Sequence, residues 1–258
     1  VFEMTKNKDP NKESLAEIAV DPDVLAKELA LELEIDPLEQ IDQDTFSKGL
    51  NITQECNEAL KMLKGKREER IQGLRIFCEY RDQRSFPLLL PLLDQPCPVE
   101  RMSVVYALGR NPCPAAVEKL VGLLETDDNA YVRRATAWSL ANYDDQIVLK
   151  PLINALKNDV AAVRLWSSSS LAEIGNVSLE NAQLAAEQLL ISLKIDNESG
   201  VRSNCIWSLC RLYEKLNNIF QESFVDECTK IALFDKEPSV MEEAKTALDS
   251  MGMQGFYN

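Results

Sequence analysis

Apolar residues recur along this chain with the spacing of a helix face: Val117, Leu120, Val121 and Leu124 stand at i, i+3, i+4 and i+7, the pattern of a helix that buries one side. The pattern is set in a repeated frame. Val132-Arg133 leads to Trp138-Ser139-Leu140, Val163-Arg164 to Ser170-Leu171, and Val201-Arg202 to Trp207-Ser208-Leu209. Each copy places Arg one residue after Val and Leu eight residues after it. Glu100-Arg101 to Tyr106-Ala107-Leu108-Gly109 fits the same frame, with a weaker first copy from Glu69-Arg70 to Phe77 and a last one from Val240-Met241 to Ala247-Leu248.

The anchor positions 70, 101, 133, 164, 202 and 241 are 31, 32, 31, 38 and 39 residues apart, a period that signals stacked supersecondary units. After each anchor helix comes a turn-like stretch (Arg81-Asp82, Asn111-Pro112, Asp144-Asp145, Gly175-Asn176), then a second apolar helix such as Ala115 to Leu124 or Ile147 to Leu156. A helix pair this short buries only one face alone, so neighbours must stack to complete a core. The expected fold is all-α: a solenoid of about six helix pairs over residues 51–258, opened by a helix over 52–64 and preceded by an arm over residues 1–50. The extra residues of the last two complete units fall around Leu179 to Glu187 and Lys215 to Glu222, where they lengthen helices or loops.

The strings VRRATAWSLANYDD, VRLWSSSSLAEIG and PVERMSVVYALGRNP resemble the HEAT-like repeats named after phycobilisome lyases. More narrowly, DQPCPVERMSVVYALGRNP, VRLWSSSSL and VRSNCIWSLCRL are similar to the cyanobacterial and plastid HEAT-repeat partners of the A-type iron-sulfur scaffold IscA. The pattern departs at Met241, where the repeated Arg is missing, and at Ser169, where the repeated aromatic is missing. The resemblance implies a scaffold or adaptor that holds an IscA-type carrier without supplying a complete ligand set. The alternative it implies is a bilin lyase subunit or phycobilisome-related adaptor acting on phycobiliproteins, placed in the cytoplasm or plastid stroma.

Composition narrows the function classes. Few Gly and Pro (9 and 11) and 7% aromatics favour helix over sheet. A net charge of -14 repels phosphate backbones and anionic membrane surfaces, so neither nucleic acid nor membrane is an expected partner. No run approaches the roughly 20 apolar residues of a bilayer span, and no basic-then-apolar signal region opens the chain. The sequence contains no His, which removes the commonest metal ligand and general base together. Neither a G-x-S-x-G nucleophile elbow nor a phosphate-cradling glycine loop occurs. The chain reads as a non-enzyme without a cofactor or metal.

Four features carry candidate interactions. Arg101, Arg133, Arg164 and Arg202 follow acidic turn residues Asp94, Asp127 or Asp128, Asp159 and Asp196, the makings of a ladder of charge-assisted hydrogen bonds between units. Tyr106, Trp138 and Trp207 stand five residues after Arg101, Arg133 and Arg202; they either seal the groove between units or form an anchor row for a partner. Trp166 lies in another register. Cys97 and Cys113 each precede Pro at an expected helix start, where the dipole lowers a thiol pKa; Cys97 is the better candidate, and the helix between them keeps the two apart. Residues 1–50 hold 13 acidic and 5 basic residues. Within that arm Leu31, Leu38 and Ile41 interleave with acids and either cap the first unit or dock on a basic partner.

Overall fold

The computed structural model describes residues 49–253. The candidates Leu31, Leu38 and Ile41, with most of the acidic arm, lie outside the described residues. Among those described there are twelve α-helices and no strand: α1 (Gly49–Met62), α2 (Arg67–Glu79), α3 (Phe86–Leu89), α4 (Pro98–Arg110), α5 (Val117–Thr126), α6 (Ala130–Leu140), α7 (Leu149–Asn158), α8 (Ala161–Gly175), α9 (Leu179–Ile195), α10 (Ser199–Leu212), α11 (Asn218–Phe234) and α12 (Pro238–Ser250). The six anchor positions fall on α2, α4, α6, α8, α10 and α12. The residue seven after each anchor is Phe77, Leu108, Leu140, Leu171, Leu209 and Leu248, and all six are fully buried.

The helices form two layers. Each anchor helix packs against the next anchor helix, and α5, α7, α9 and α11 form a second row behind them. The anchor helices pack on one another more extensively than the second-row helices do, and each repeat meets only its neighbours, as in a solenoid. The extra residues of the last two complete units lengthen helices rather than loops: α9 and α11 have 17 residues where α5 and α7 have 10. The second helix of the first unit is broken. Pro91 interrupts it into the four-residue α3 and a 3-10 turn over Leu90–Asp94, because proline offers no N–H to an i−4 carbonyl; Pro87 sits in the first turn of α3, where none is due.

Small polar residues tie the anchor row together. Ser170 Oγ donates to the Ala137 carbonyl at 2.7 Å and Ser208 Oγ to the Ser168 carbonyl at 2.9 Å, the same step from one helix to the one before. In these two helices serine is small enough for a close approach and brings a donor that the neighbour's backbone satisfies, whereas Ser139, at the same place on α6, is buried with its hydroxyl unpaired. Asn111 does more. Its buried amide donates to the carbonyls of Phe77, Tyr80 and Ala107 and accepts from the Asp82 N–H at 2.7 Å. Tyr143, at the equivalent place one unit on, donates its hydroxyl to the Leu108 carbonyl at 3.0 Å.

The Arg ladder exists with its register shifted. Arg101, Arg133, Arg164 and Arg202 do not pair with the acid just before them; each forks onto the Asp of the following turn, Asp127, Asp159, Asp196 and Asp235, through Nε and Nη2 at 2.7–3.0 Å. Nη1 donates back to the preceding turn: to Gln95, Asp127, Asp159 and Asp196 carbonyls. One guanidinium therefore clamps two successive turns, using a planar fork that matches a carboxylate. Asp94 is outside the ladder and instead receives Lys119 at the surface. In that first step Arg70 pairs with the buried Glu100, which occupies the place of the repeated Val. Met241 follows the last ladder carboxylate, and the outward face of α12 is polar, with Ser239, Glu242, Thr246 and Asp249 exposed.

These carboxylates make stability pH-dependent in acid. Burial works against the charge on Asp127, Asp159 and Asp235, but the guanidinium and backbone N–H bonds outweigh it and hold each below its ordinary value of 3.8. A carboxylate depressed in the folded state stabilises above its unfolded pKa and stops doing so as pH falls through the folded one. The urea midpoint is therefore expected to be flat near neutrality and to fall once pH drops below about 4. A midpoint unchanged down to the depressed range would show that the ladder does not contribute.

Candidate functional site

The anchor layer carries the aromatic residues. Tyr106 on α4 and Trp138 on α6 are half-buried and stack on each other, with ring centroids 5.4 Å apart and planes tilted by 55°. The Trp138 ring lies against Gly109: a Cβ there would come within 2.4 Å of it. Glycine at that point of the frame is what lets the indole fold back onto α4. Trp138 thus does part of its work sealing the groove between two units, while the outer edges of both rings remain accessible.

Trp207 on α10 is more open, at 40% exposure. Arg211, one helical turn on, lies over its ring at 4.9 Å and pairs with Glu173 on α8 at 2.7 Å, which fixes the guanidinium as a cation–π cap. Between Trp138 and Trp207 the row is interrupted by Ser169, whose Oγ receives Asn204 Nδ2 at 2.6 Å. Trp166 is half-buried and sits three residues before Ser169, on the same side of α8, so an indole still stands on the helix where the row has its gap. The layer presents a discontinuous line of Tyr106, Trp138, Trp166 and Trp207 over four successive anchor helices.

Cys97 is the N-cap of α4. The N–H groups of Glu100 and Val99 face its sulfur and Arg67 Nη2 donates to it at 2.9 Å; led by the Glu100 N–H and opposed by desolvation, these hold the thiol below its ordinary value. Cys113 caps the turn beyond the other end of α4, so the two do not meet. The remaining thiols differ. Burial pushes Cys78 and Cys210 up to about 12 and raises Cys56, Cys205 and Cys228 as well. Among the described residues, all seven cysteines are free, and no group of three His, Cys, Asp or Glu side chains is placed to hold a metal ion. No described helix is long and apolar enough to cross a membrane.

Sequence reasoning overlooked Arg211 and the exposed Ile195 and Phe234. The first was legible as a cation four residues after Trp207, the spacing that stacks side chains on a helix. The other two stand immediately before ladder carboxylates, where earlier units have Thr126 and Asn158.

Solved structures with this architecture include a designed armadillo repeat protein, YIII(Dq.V1)4CPAF, in complex with the peptide (KR)4. It matches with a TM-score of 0.56 and 18% identity over 79% of this chain and 99% of its own. A second designed armadillo repeat protein, YIII(Dq)4CqI, matches with a TM-score of 0.52 and 18% identity, covering 78% of this chain and 98% of its own. At that identity the likeness is one of fold. No curated protein matches the sequence. The family model for HEAT repeats matches residues 57–141 and, overlapping them, 117–210, the stretch that holds the four ladder arginines Arg101, Arg133, Arg164 and Arg202. The chain belongs to the HEAT-repeat family.

Proposed function

We propose that this chain is a non-catalytic adaptor that holds a protein client against its anchor-helix layer. The observation that carries this reading is the line of Tyr106, Trp138, Trp166 and Trp207 along the anchor layer, with Trp207 open under its Arg211 cap. Aromatic side chains contribute a large share of interface energy for little lost conformational entropy, and a curved repeat array offers them as one extended surface. The complex of a designed armadillo repeat protein of similar fold with the peptide (KR)4 supports the same use of the architecture.

The client implied by the sequence resemblance is an A-type iron-sulfur carrier. A carrier that brings its own cluster ligands suits an adaptor whose described residues hold no three-ligand group. The test is to mix the purified protein with apo and cluster-loaded IscA, and separately with a bilin-bearing phycobiliprotein, and follow size exclusion with absorbance spectra. Co-elution with IscA that weakens at least tenfold in Trp207→Ala supports the reading. Complex formation with the phycobiliprotein alone, or bilin transfer, overturns it in favour of a lyase-type subunit.

A further inference from the structure

A groove opens between the C-terminal ends of successive second-row helices, at the edge held by the Arg–Asp ladder. It occurs twice. Between α5 and α7 it has a volume of about 420 Å³ and is walled by Leu124, Pro151, Ala155 and Val160 together with Glu125, Asn154 and Asn158. Between α9 and α11 the corresponding groove, of about 430 Å³, has Ile195, Phe234, three lysines (Lys194, Lys230 and Lys236) and one further carboxylate, Glu227, on its walls. The groove itself is a product of the repeat, but no lysine lines the first copy and three line the second. Ile195 and Phe234 replace the polar residue that precedes the ladder carboxylate in earlier turns, and they are 72% and 81% exposed. Two large apolar side chains left this open on adjacent helices mark an interaction surface.

The charge around them chooses the partner. Asp196 and Asp235 are already neutralised by Arg164 and Arg202. Lys230 has a long 3.5 Å contact to Glu227, and Lys236 has one to the Asn197 carbonyl and acts at longer range on Asp235, which Arg202 already holds; Lys194 has no carboxylate within ion-pair distance among the described residues. A locally positive rim around an apolar centre, on a chain whose net charge is -14, attracts the opposite of what the whole molecule attracts. We propose that this edge is a second docking surface, separate from the aromatic layer, and that it takes an acidic peptide segment carrying large aliphatic or aromatic side chains between its Asp and Glu residues. Phe234 and Ile195 cover the apolar side chains while Lys194, Lys230 and Lys236 meet the carboxylates. An adaptor with this surface engages two partners of different chemistry at once.

The test uses the full chain and a fluorescent peptide of alternating Leu and Glu, with a Leu–Lys peptide of equal length as control, read by fluorescence anisotropy. The Leu–Glu peptide is expected to bind, to weaken with added salt, and to lose at least tenfold in affinity both in Phe234→Ser and in the double variant Lys194→Glu, Lys236→Glu. Circular dichroism and the thermal midpoint should stay unchanged in both variants, since all three side chains are exposed. The proposal is overturned if the acidic peptide does not bind, if the Leu–Lys peptide binds as well, or if the variants leave affinity intact. It is also overturned if sedimentation shows a dimer of the protein that Phe234→Ser dissociates, because the surface then belongs to a second copy.

Discussion

Replacing Asp159 with alanine is expected to destabilise the protein by about 3 kcal/mol, the cost of removing one partner from a buried ion pair. Asp159 receives two bonds from Arg133 and the N–H of Val160, and both side chains of the pair are largely buried. The substitution leaves a guanidinium desolvated, with its fork empty, at the joint between two units. In a solenoid, stability is a sum of unit terms and interface terms. Weakening one interface should therefore also broaden the urea transition or divide it into two, by circular dichroism. The double variant Arg133→Met, Asp159→Leu is expected to recover part of the loss, because no unpaired charge remains buried. A single-variant cost under about 1 kcal/mol, the range of exposed pairs, would mean that the ladder is decoration.

Asn111→Leu is expected to cost a similar amount. The side chains are close in size, so the change isolates hydrogen bonding: it orphans the Asp82 N–H and removes donors from three carbonyls, two of them on α2 or directly after it. Each buried group left unpaired costs about 1–3 kcal/mol, and partial rescue by water brings the expected total to about 3 kcal/mol. The exposed Asn142 provides the control, since surface substitutions away from such networks stay within about 0.5 kcal/mol. Equal effects of Asn111→Leu and Asn142→Leu on the chemical midpoint would contradict the role given to Asn111.

The repeat was legible because its strongest constraints are local. A large apolar residue seven after each anchor, leucine in five of the six, and valine one before the last four are periodic facts of the sequence, and burial follows from the period. The direction of the ladder was not legible: sequence proximity favours the acid just before each Arg, whereas stacking brings the carboxylate of the next turn within reach of the fork. The same long-range placement decides the aromatic row. Nothing local to Trp138 says that Gly109, a unit earlier, leaves room for its ring, or that Trp207 would instead stand open beneath Arg211. Asp94 shows the converse error. It has the right spacing, yet the proline-broken helix before it ends in a 3-10 turn, and Glu100 takes its place opposite Arg70.

The three tryptophans of the chain are Trp138, Trp166 and Trp207, all on the anchor layer, so their emission reports on the surface to which the client is assigned. The most direct measurement is tryptophan fluorescence during titration with a tryptophan-free IscA-type carrier, in the parent protein and in Trp207→Phe. A saturable blue shift in the parent, reduced in the variant, is the predicted result, because a docked client removes water from the most exposed indole. Binding detected by size exclusion with no change in tryptophan emission would place the client elsewhere and contradict the assignment of the anchor layer.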